Sequence, residues 1–147
     1  MSAQAIPEGY STVTPYVIVD GAAGVIEFAK RAFDAEERFR MDREDGTVGH
    51  AEIVIGDSVV MVADAGGEWP AMPGGLHLYV EDCDATYARA LEAGATSIRE
   101  PADQFYGDRS GGVRDAGGNV WWITTHVEDV SPEEMERRAR EWAASQG

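Results

Sequence analysis

The apolar positions of the chain follow the same pattern twice, in two stretches that lie 61 residues apart. The first stretch is Gly56–Val62 and the second is Gly117–Ile123, and each places a turn in front of a short β-branched or aromatic run. The second turn, 115–119, is built from Asp, Gly and Asn, residue types that tight turns favour. A pattern repeated at a constant offset predicts that one supersecondary unit is used twice.

Around the first copy, hydrophobic periodicity predicts a strand, a helix and three further strands. A strand over Thr12–Val19 precedes an amphipathic helix from about Ala22 to Phe33, whose apolar residues recur at helical spacing. Alternation of apolar and polar residues then predicts strands at 35–41, 48–55 and 58–63.

After a linker rich in Gly and Pro, the same order of elements returns. It comprises a strand at 76–80, a helix from an Asp82 N-cap to about Ala93, and strands at 96–99, 109–115 and 120–125. A last helix begins with the cap residue Ser131 and with Pro132 in its first turn. The fold class is therefore α+β with tandem βαβββ modules, in one domain, 1–147: module 1 at about 12–64, the linker at 65–74, module 2 at about 75–126 and the C-terminal helix at about 131–145.

The charge of the chain limits the classes of partner that we expect, and its cysteine content indicates a compartment. Twelve Lys and Arg residues stand against 27 Asp and Glu residues, which gives a net charge of −15. Such a surface repels phosphate backbones and anionic lipid, so neither a nucleic acid nor a membrane is an expected partner. Apolar runs fall short of the roughly 18 residues of a membrane span. The single cysteine, Cys83, cannot form an internal disulfide, and a cytoplasmic protein is expected.

The repeat and its turn resemble the vicinal oxygen chelate superfamily, which includes glyoxalase I, extradiol dioxygenases and bleomycin-resistance proteins. The turn Asp115–Asn119 is similar to that family's Asp–Pro–Asp–Gly–Asn turn and differs from it at Ala116 and Gly117. The segments 106–109, 125–126 and 131–134 further resemble the PhnB-like, glyoxalase-like branch. The resemblance spans about 12–126 and implies curled mixed sheets around a concave cavity.

The resemblance also implies where a divalent metal binds in members that use one. Its ligands, usually His and Glu, come from the first and fourth strands of each module. In this chain those positions hold Thr14, Met61, Gly75 and Trp122. Gly has no side chain, the indole only donates, and Met sulfur prefers soft ions. We therefore expect no metal ligand at these positions and no cofactor.

Strand alternation from the same positions predicts which side chains line the concave cavity. The result is a mostly apolar hollow with a few polar groups, which is typical of a small-molecule site. Trp69 is added because a tryptophan in a linker usually docks onto a surface, and Tyr106 because its polar loop is either a lid or a surface loop fixed by an Asp–Arg pair. The candidate ligand-binding residues are Tyr16, His50, Glu52, Met61, Trp69, His77, Tyr79, Tyr106, Trp122 and Thr124.

These features favour a metal-independent protein of the bleomycin-resistance type, which sequesters or carries an aromatic or amphipathic small molecule. The alternative is a glyoxalase-like lyase, isomerase or dioxygenase-type enzyme. It would use His50 or Glu52 as acid or base, or a divalent metal at a shifted site made of His50, Glu52 and His77. These side chains could also simply hydrogen-bond to one another. A homodimer is expected, since each module leaves an unpaired strand edge.

Overall fold

The computed structural model describes residues 3–147, so Met1 and Ser2 of the predicted domain lie outside the described residues. Module 1 consists of β1 (Tyr16–Val19), α1 (Ala22–Phe33), β2 (Glu36–Asp42), β3 (Val48–Ile55) and β4 (Ser58–Asp64). Module 2 consists of β5 (Gly75–Tyr79), α2 (Cys83–Glu92), β6 (Thr96–Asp103), β7 (Asp108–Arg114) and β8 (Val120–His126), and α3 (Pro132–Gln146) follows it. The predicted α+β fold of two βαβββ units and a C-terminal helix is confirmed. Within residues 3–147, the helices are all too short or too polar to cross a membrane.

Each module forms one four-stranded sheet with the same topology. The strand orders are β1-β4-β3-β2 and β5-β8-β7-β6. In both sheets the first strand runs parallel to the fourth, and the other neighbours are antiparallel. One face of each sheet packs on helices. We call the other face of each sheet its open face.

The helix side of both sheets contributes to one hydrophobic core. In module 1, Val17, Val62 and Ile53 pack with α1, and the apolar face of this helix is fully buried. Trp121 from module 2 is 0% exposed, and its ring lies 5.0 Å from that of Phe33 on α1. The modules are therefore joined through α1, α2 and this tryptophan rather than through a shared sheet.

The end of the fourth strand anchors the start of the helix in both modules. Asp64 Oδ1 accepts hydrogen bonds of 2.9 Å from the backbone N–H groups of Gly21 and Ala22 at the start of α1. Thr125 Oγ1, which lies 61 residues later, accepts one of 2.9 Å from Cys83 at the start of α2. These side chains satisfy N–H groups that a helix start leaves without intrahelical partners.

The repeated turn at 115–119 is organised by the buried carboxylate of Asp115. This carboxylate accepts from the backbone N–H groups of Gly117 and Asn119 and from Trp121 Nε1. The turn also packs onto module 1, because a Cβ at Gly117 would lie 2.9 Å from Val25 Cγ2. Asp115 therefore stabilises the turn that packs onto module 1 and also holds the indole of Trp121 in the core.

Two predicted strand boundaries are wrong, and proline accounts for both. β1 begins at Tyr16 rather than at Thr12, because Pro15 cannot donate to the ladder, and Thr14 therefore precedes the strand. β6 continues to Asp103 rather than ending at 99. Pro101 is tolerated there because β6 is an edge strand whose register shifts between Arg99 and Ala102.

Candidate functional site

The register of the strands sets a row of four side chains across the middle of each open face. Residues directly opposite one another in neighbouring strands point to the same face of a sheet. In module 1 the row is Phe39, Glu52, Met61 and Tyr16. In module 2 the equivalent row is Arg99, Gly112, Trp122 and His77. We call these two sets the central rows.

The open face of module 1 holds a connected hydrogen-bond network. Tyr16 Oη lies 3.0 Å from His50 Nδ1, and His50 Nε2 lies 3.0 Å from Glu52 Oε2. Tyr10 donates its hydroxyl to the other oxygen of Glu52. Because an ionised carboxylate only accepts, His50 Nε2 carries a proton, and in the neutral imidazole Nδ1 then accepts from Tyr16. The network therefore runs in one direction, from a hydroxyl through an imidazole to a carboxylate.

The surroundings keep Glu52 ionised. The hydrogen bond from Tyr10 lowers the pKa of the Glu52 carboxyl, and His50 acts in the same direction against the opposing effect of burial. The guanidinium of Arg38 stacks 4.8 Å from the centre of the Tyr10 ring and donates to the carbonyl oxygen of Glu8 at 2.9 Å. The segment that carries Tyr10 is thus held against the open face of module 1.

A cavity of about 460 Å³ opens beside this network. Its apolar walls are Tyr16, Ile18 and Trp69, and its remaining lining is Arg43, Gly49, Ala63 and Asp64. Trp69 is 63% exposed and belongs to a tight turn in which it exchanges backbone hydrogen bonds with Gly66. A volume of this size lies within the usual range of small-ligand sites.

The open face of module 2 has different chemistry. Trp122 covers Gly112 so closely that a Cβ at that glycine would collide with the indole. The guanidinium of Arg99 lies 5.2 Å from the centre of the Trp122 ring, which is a cation–π arrangement. His77 lies beside Tyr79, with ring centroids 5.1 Å apart.

One end of this face is closed by a second hydrogen-bonded cluster. Asp108 is buried and accepts from Tyr79 Oη at 3.1 Å and from His126 Nδ1 at 2.7 Å. His126 Nε2 lies 2.8 Å from Asp129. Hydrogen bonding to Asp108, and then to Asp129, raises the pKa of His126. Two predicted ligand-binding residues of module 2, Tyr79 and Thr124, are thus engaged within the protein, since Thr124 is fully buried and pairs with Ser110 at 2.9 Å.

Tyr106 lies in the turn between β6 and β7. Its ring meets Phe105 edge-on at 5.2 Å, and Phe105 in turn packs 5.7 Å from Trp142 of α3. Asp103 and Arg109 form an ion pair of 3.2 Å at the base of this turn. The arrangement favours a surface loop fixed by an Asp–Arg pair over a lid.

The predicted residues thus separate into two groups. The module 1 face gathers Tyr16, His50, Glu52, Met61 and Trp69, and module 2 carries His77, Tyr79, Tyr106, Trp122 and Thr124. Within residues 3–147, hydrogen bonds and ring contacts do not connect the two groups. In the part of the chain that the structure describes, there is also no group of three or more His, Cys, Asp or Glu side chains that could hold a metal ion.

Sequence reasoning missed three residues of the module 1 site. Tyr10 reaches Glu52 from 42 positions away, and Arg43 lies in the hairpin turn between β2 and β3. Neither carries a local signal for its role. Phe39 could have been found, because Phe39 and Met41 are two apolar residues at alternate positions of an otherwise charged strand.

A larger hollow of about 750 Å³ lies along the edge strand β5, and residues from both faces of that strand line it, including the predicted ligand-binding residues His77 and Tyr79. Phe33, Leu76, Leu78 and Trp121 contribute to its apolar lining. The turn between β3 and β4, at Gly56 and Asp57, borders it. The corresponding turn of module 2 is the longer one at 115–119, which packs onto Val25 of module 1.

Comparison with known proteins identifies the family. The family model of the Glyoxalase/Bleomycin resistance protein/Dioxygenase superfamily matches residues 11–123. The chain belongs to this superfamily. It is 38% identical over 135 residues to the uncharacterized protein Mb0911c of Mycobacterium bovis, covering 84% of this chain and 89% of that protein.

Solved structures with a similar fold cover more than three quarters of the chain. TioX from Micromonospora sp. ML1 matches with a TM-score of 0.64 and 24% identity, covering 78% of this chain and 99% of that one. A PhnB protein from Bacillus cereus matches with a TM-score of 0.60 and 19% identity, covering 78% of this chain and 99% of that one. At these identities the likeness concerns the fold alone.

The positions at which superfamily resemblance implies metal ligands do not fit a metal in this chain. Met61 lies opposite Tyr16 and Trp122 opposite His77, while Gly75 opens β5 and Thr14 precedes β1. A thioether, an indole, a glycine and a hydroxyl outside the sheet do not form a ligand set for a hard or borderline ion.

Proposed function

We propose that this superfamily member binds a small aromatic or amphipathic molecule on the open face of module 1, without requiring a metal ion, and sequesters or carries it. The observation that supports this proposal most strongly is the cavity of about 460 Å³ between Tyr16, Ile18 and Trp69. Trp69 is the largest of these side chains and leaves most of its surface uncovered.

The chemistry of the walls favours a flat aromatic ligand. An aromatic ring that stacks on Tyr16 or Trp69 gains about 0.5–1.5 kcal/mol beyond the burial of apolar area. The network of Tyr16, His50 and Glu52 adds fixed polar groups at the edge of the cavity. A mostly apolar cavity with a few placed polar groups is the usual form of a small-molecule site.

A ligand screen with matched tryptophan variants tests the proposal. We expect members of an aromatic compound panel to raise the melting temperature of the wild type, equally before and after dialysis against EDTA. Trp69→Ala should lose that shift. Trp142→Ala should keep it, since Trp142 lies on α3, where it packs against Phe105. Shifts that vanish with EDTA, or that survive Trp69→Ala, would contradict the proposal.

A second candidate is an acid–base enzyme, and the directed network supports it. Glu52 orients His50, and His50 Nδ1 accepts the hydroxyl of Tyr16. A carboxylate, an imidazole and a hydroxyl in this order are the components with which enzymes activate a hydroxyl group. Incubating a ligand from the screen with the protein and following it by mass spectrometry tests this alternative. Turnover that His50→Gln abolishes supports the enzyme, and recovery of unchanged ligand supports the binding protein.

We also propose a homodimer. Tyr16, Phe39 and Met41 on module 1 and Tyr79 on module 2 are large side chains that remain 47–65% exposed. The side of β5 away from β8 also has no strand beside it among residues 3–147. A partner subunit would cover such groups. Light scattering at micromolar concentration should give twice 15.9 kDa, and a mass near 15.9 kDa would refute the dimer.

For the location of the protein we propose the cytoplasm. The supporting observation is Cys83, the single cysteine, whose buried thiol is free and donates to the carbonyl oxygen of Ile123. Proteins of oxidising compartments more often carry paired cysteines.

A further inference from the structure

We propose that the ligand of the module 1 cavity carries a carboxylate, and that Arg43 binds this group beneath Trp69. This inference rests on the proposed function and adds the chemical class of the ligand. Arg43 lines the cavity together with Tyr16 and Trp69, so a molecule that stacks on the rings would place its polar end near the guanidinium.

The positive charge of Arg43 is held in place by neutral acceptors. Its Nη1 donates to Thr47 Oγ1 at 3.2 Å, and its Nη2 donates to the carbonyl oxygen of Asp64 at 3.0 Å. Six of the 12 Lys and Arg side chains form salt bridges within residues 3–147, and Arg43 is not one of them. In a chain with a net charge of −15, Arg43 therefore presents to this cavity a cation whose own hydrogen bonds go to neutral acceptors, close to the carboxylates of Asp45 and Asp64.

The backbone around Arg43 leaves room for its side chain. A Cβ at Gly49 would lie 3.3 Å from Arg43 Cγ, and a Cβ at Gly66 would lie 3.5 Å from Arg43 Nη1. A side chain at Gly49 would press on Arg43, and one at Gly66 would stand against its guanidinium. The two glycines and the two hydrogen bonds together fix the guanidinium at the cavity wall.

The one carboxylate in the cavity lining does not take up this charge. Asp64 accepts from the backbone N–H groups of Gly21, Ala22 and Val48, at 2.9, 2.9 and 2.7 Å. Burial alone would raise the pKa of the Asp64 carboxyl, but these donors, with help from Arg43, hold it below its ordinary value of 3.8. Asp64 is thus satisfied by the backbone, and its carbonyl oxygen, not its carboxylate, contacts Arg43.

The charge balance points to a monoanion. A guanidinium has five N–H donors, and Arg43 uses two of them within the protein. The remaining donors suffice for the paired hydrogen bonds that a carboxylate makes with arginine. A dianionic phosphate would lie near one positive charge and the negative Asp64, which makes it the poorer match.

Matched carboxylate and amide pairs test this inference on the full chain. Suitable pairs are benzoate and benzamide, 2-naphthoate and 2-naphthamide, and indole-3-acetate and indole-3-acetamide, titrated by calorimetry with inorganic phosphate as a separate arm. We expect a carboxylate to bind about tenfold more tightly than its amide, since hydrogen bonds to a charged group contribute more than neutral ones. Arg43→Gln should remove this preference by weakening carboxylate binding more than amide binding, and Arg43→Lys should retain part of it.

Arg140→Gln is the matched control, because Arg140 is an exposed arginine of α3 without a salt bridge among residues 3–147. It should keep the full preference. Amides that bind as tightly as carboxylates, with dependence on Trp69, would overturn the inference and leave the proposed function standing. Failure of every pair to bind would remove both. Phosphate that binds as tightly as 2-naphthoate would overturn the carboxylate class.

Discussion

The central rows of the two modules occupy the same places in the same sheet topology and share no residue type. Module 1 carries Phe39, Glu52, Met61 and Tyr16, and module 2 carries Arg99, Gly112, Trp122 and His77. An acid in the middle of one row corresponds to a glycine in the other, and that glycine makes room for an indole. The open faces are therefore free to differ in chemistry because they do not hold the fold together.

The helix side of the sheets, in contrast to the open faces, is similar in the two modules. Asp64 and Thr125 differ in charge, yet each accepts the backbone N–H at the start of its own helix. Val62 and Ile123, also 61 positions apart, are both buried in the core. Packing constrains the helix side, because burial and helix capping tolerate few alternatives there. Function is consequently sought on the open faces.

The largest expected effect is a difference in unfolding free energy between alanine variants of two adjacent tryptophans. Trp121→Ala should cost about 3–5 kcal/mol of unfolding free energy, because it removes a fully buried ring from the joint core. Trp122→Ala should cost much less, since its ring borders the open face and only partly loses packing. Chemical denaturation of both variants measures the difference. Equal losses would mean that the face of module 2 is as closely packed as the core.

Local signals explain why most of the fold could be predicted. The predicted bounds of α1 agree with the structure, because its apolar residues recur at helical spacing; in the structure the helix ends where Asp34 adopts the left-handed conformation. Ser131 accepts from the backbone N–H of Glu134, as its capping pattern predicts. The strand errors at Pro15 and Pro101 arose where one residue changes hydrogen bonding, and hydrophobic pattern does not report that change.

The candidate site was less accessible from sequence. Alternation placed His50 and Glu52 on one face, and a hydrogen bond joins them there. Tyr10 and Arg43 come to the site through tertiary contacts made by a terminal segment and a hairpin, which carry no periodic signal. Residues brought in by loops are accordingly the ones that pattern reasoning missed.

The second prediction compares Asp64 and Thr125, the side chains that accept from the backbone at the starts of α1 and α2. Asp64→Asn should destabilise the protein by about 1.5–3 kcal/mol, and Thr125→Val by about 1 kcal/mol, because hydrogen bonds to a charged acceptor contribute more than neutral ones. The Asp64 effect should also depend on pH. Since its folded pKa is below the ordinary value of 3.8, the ionised carboxylate stabilises the fold above that pH and loses its contribution as pH falls through the folded pKa.

Urea denaturation at pH 7 and at progressively lower pH measures both effects. The wild type should lose its advantage over Asp64→Asn on acidification, whereas the difference between the wild type and Thr125→Val should stay constant. A constant Asp64 difference would indicate that the carboxylate charge does not contribute and that the anchors are equivalent.

The smallest expected effect concerns the histidine that lies between two carboxylates. His126 contacts Asp108 and Asp129, whereas His50 on the other face contacts one carboxylate and one hydroxyl. Because hydrogen bonding to Asp108, followed by Asp129, raises the folded pKa of His126 above its ordinary value of 6.5, the protonated imidazole stabilises the fold below about that pH. This contribution is lost as pH rises through the folded pKa.

The melting temperature of His126→Gln should therefore fall below that of the wild type at pH 6 and approach it at pH 9, with NMR titration of His126 as the direct measurement. A His126 midpoint at or below 6.5, or a deficit that grows toward pH 9, would mean that the two carboxylates do not hold a proton on this imidazole.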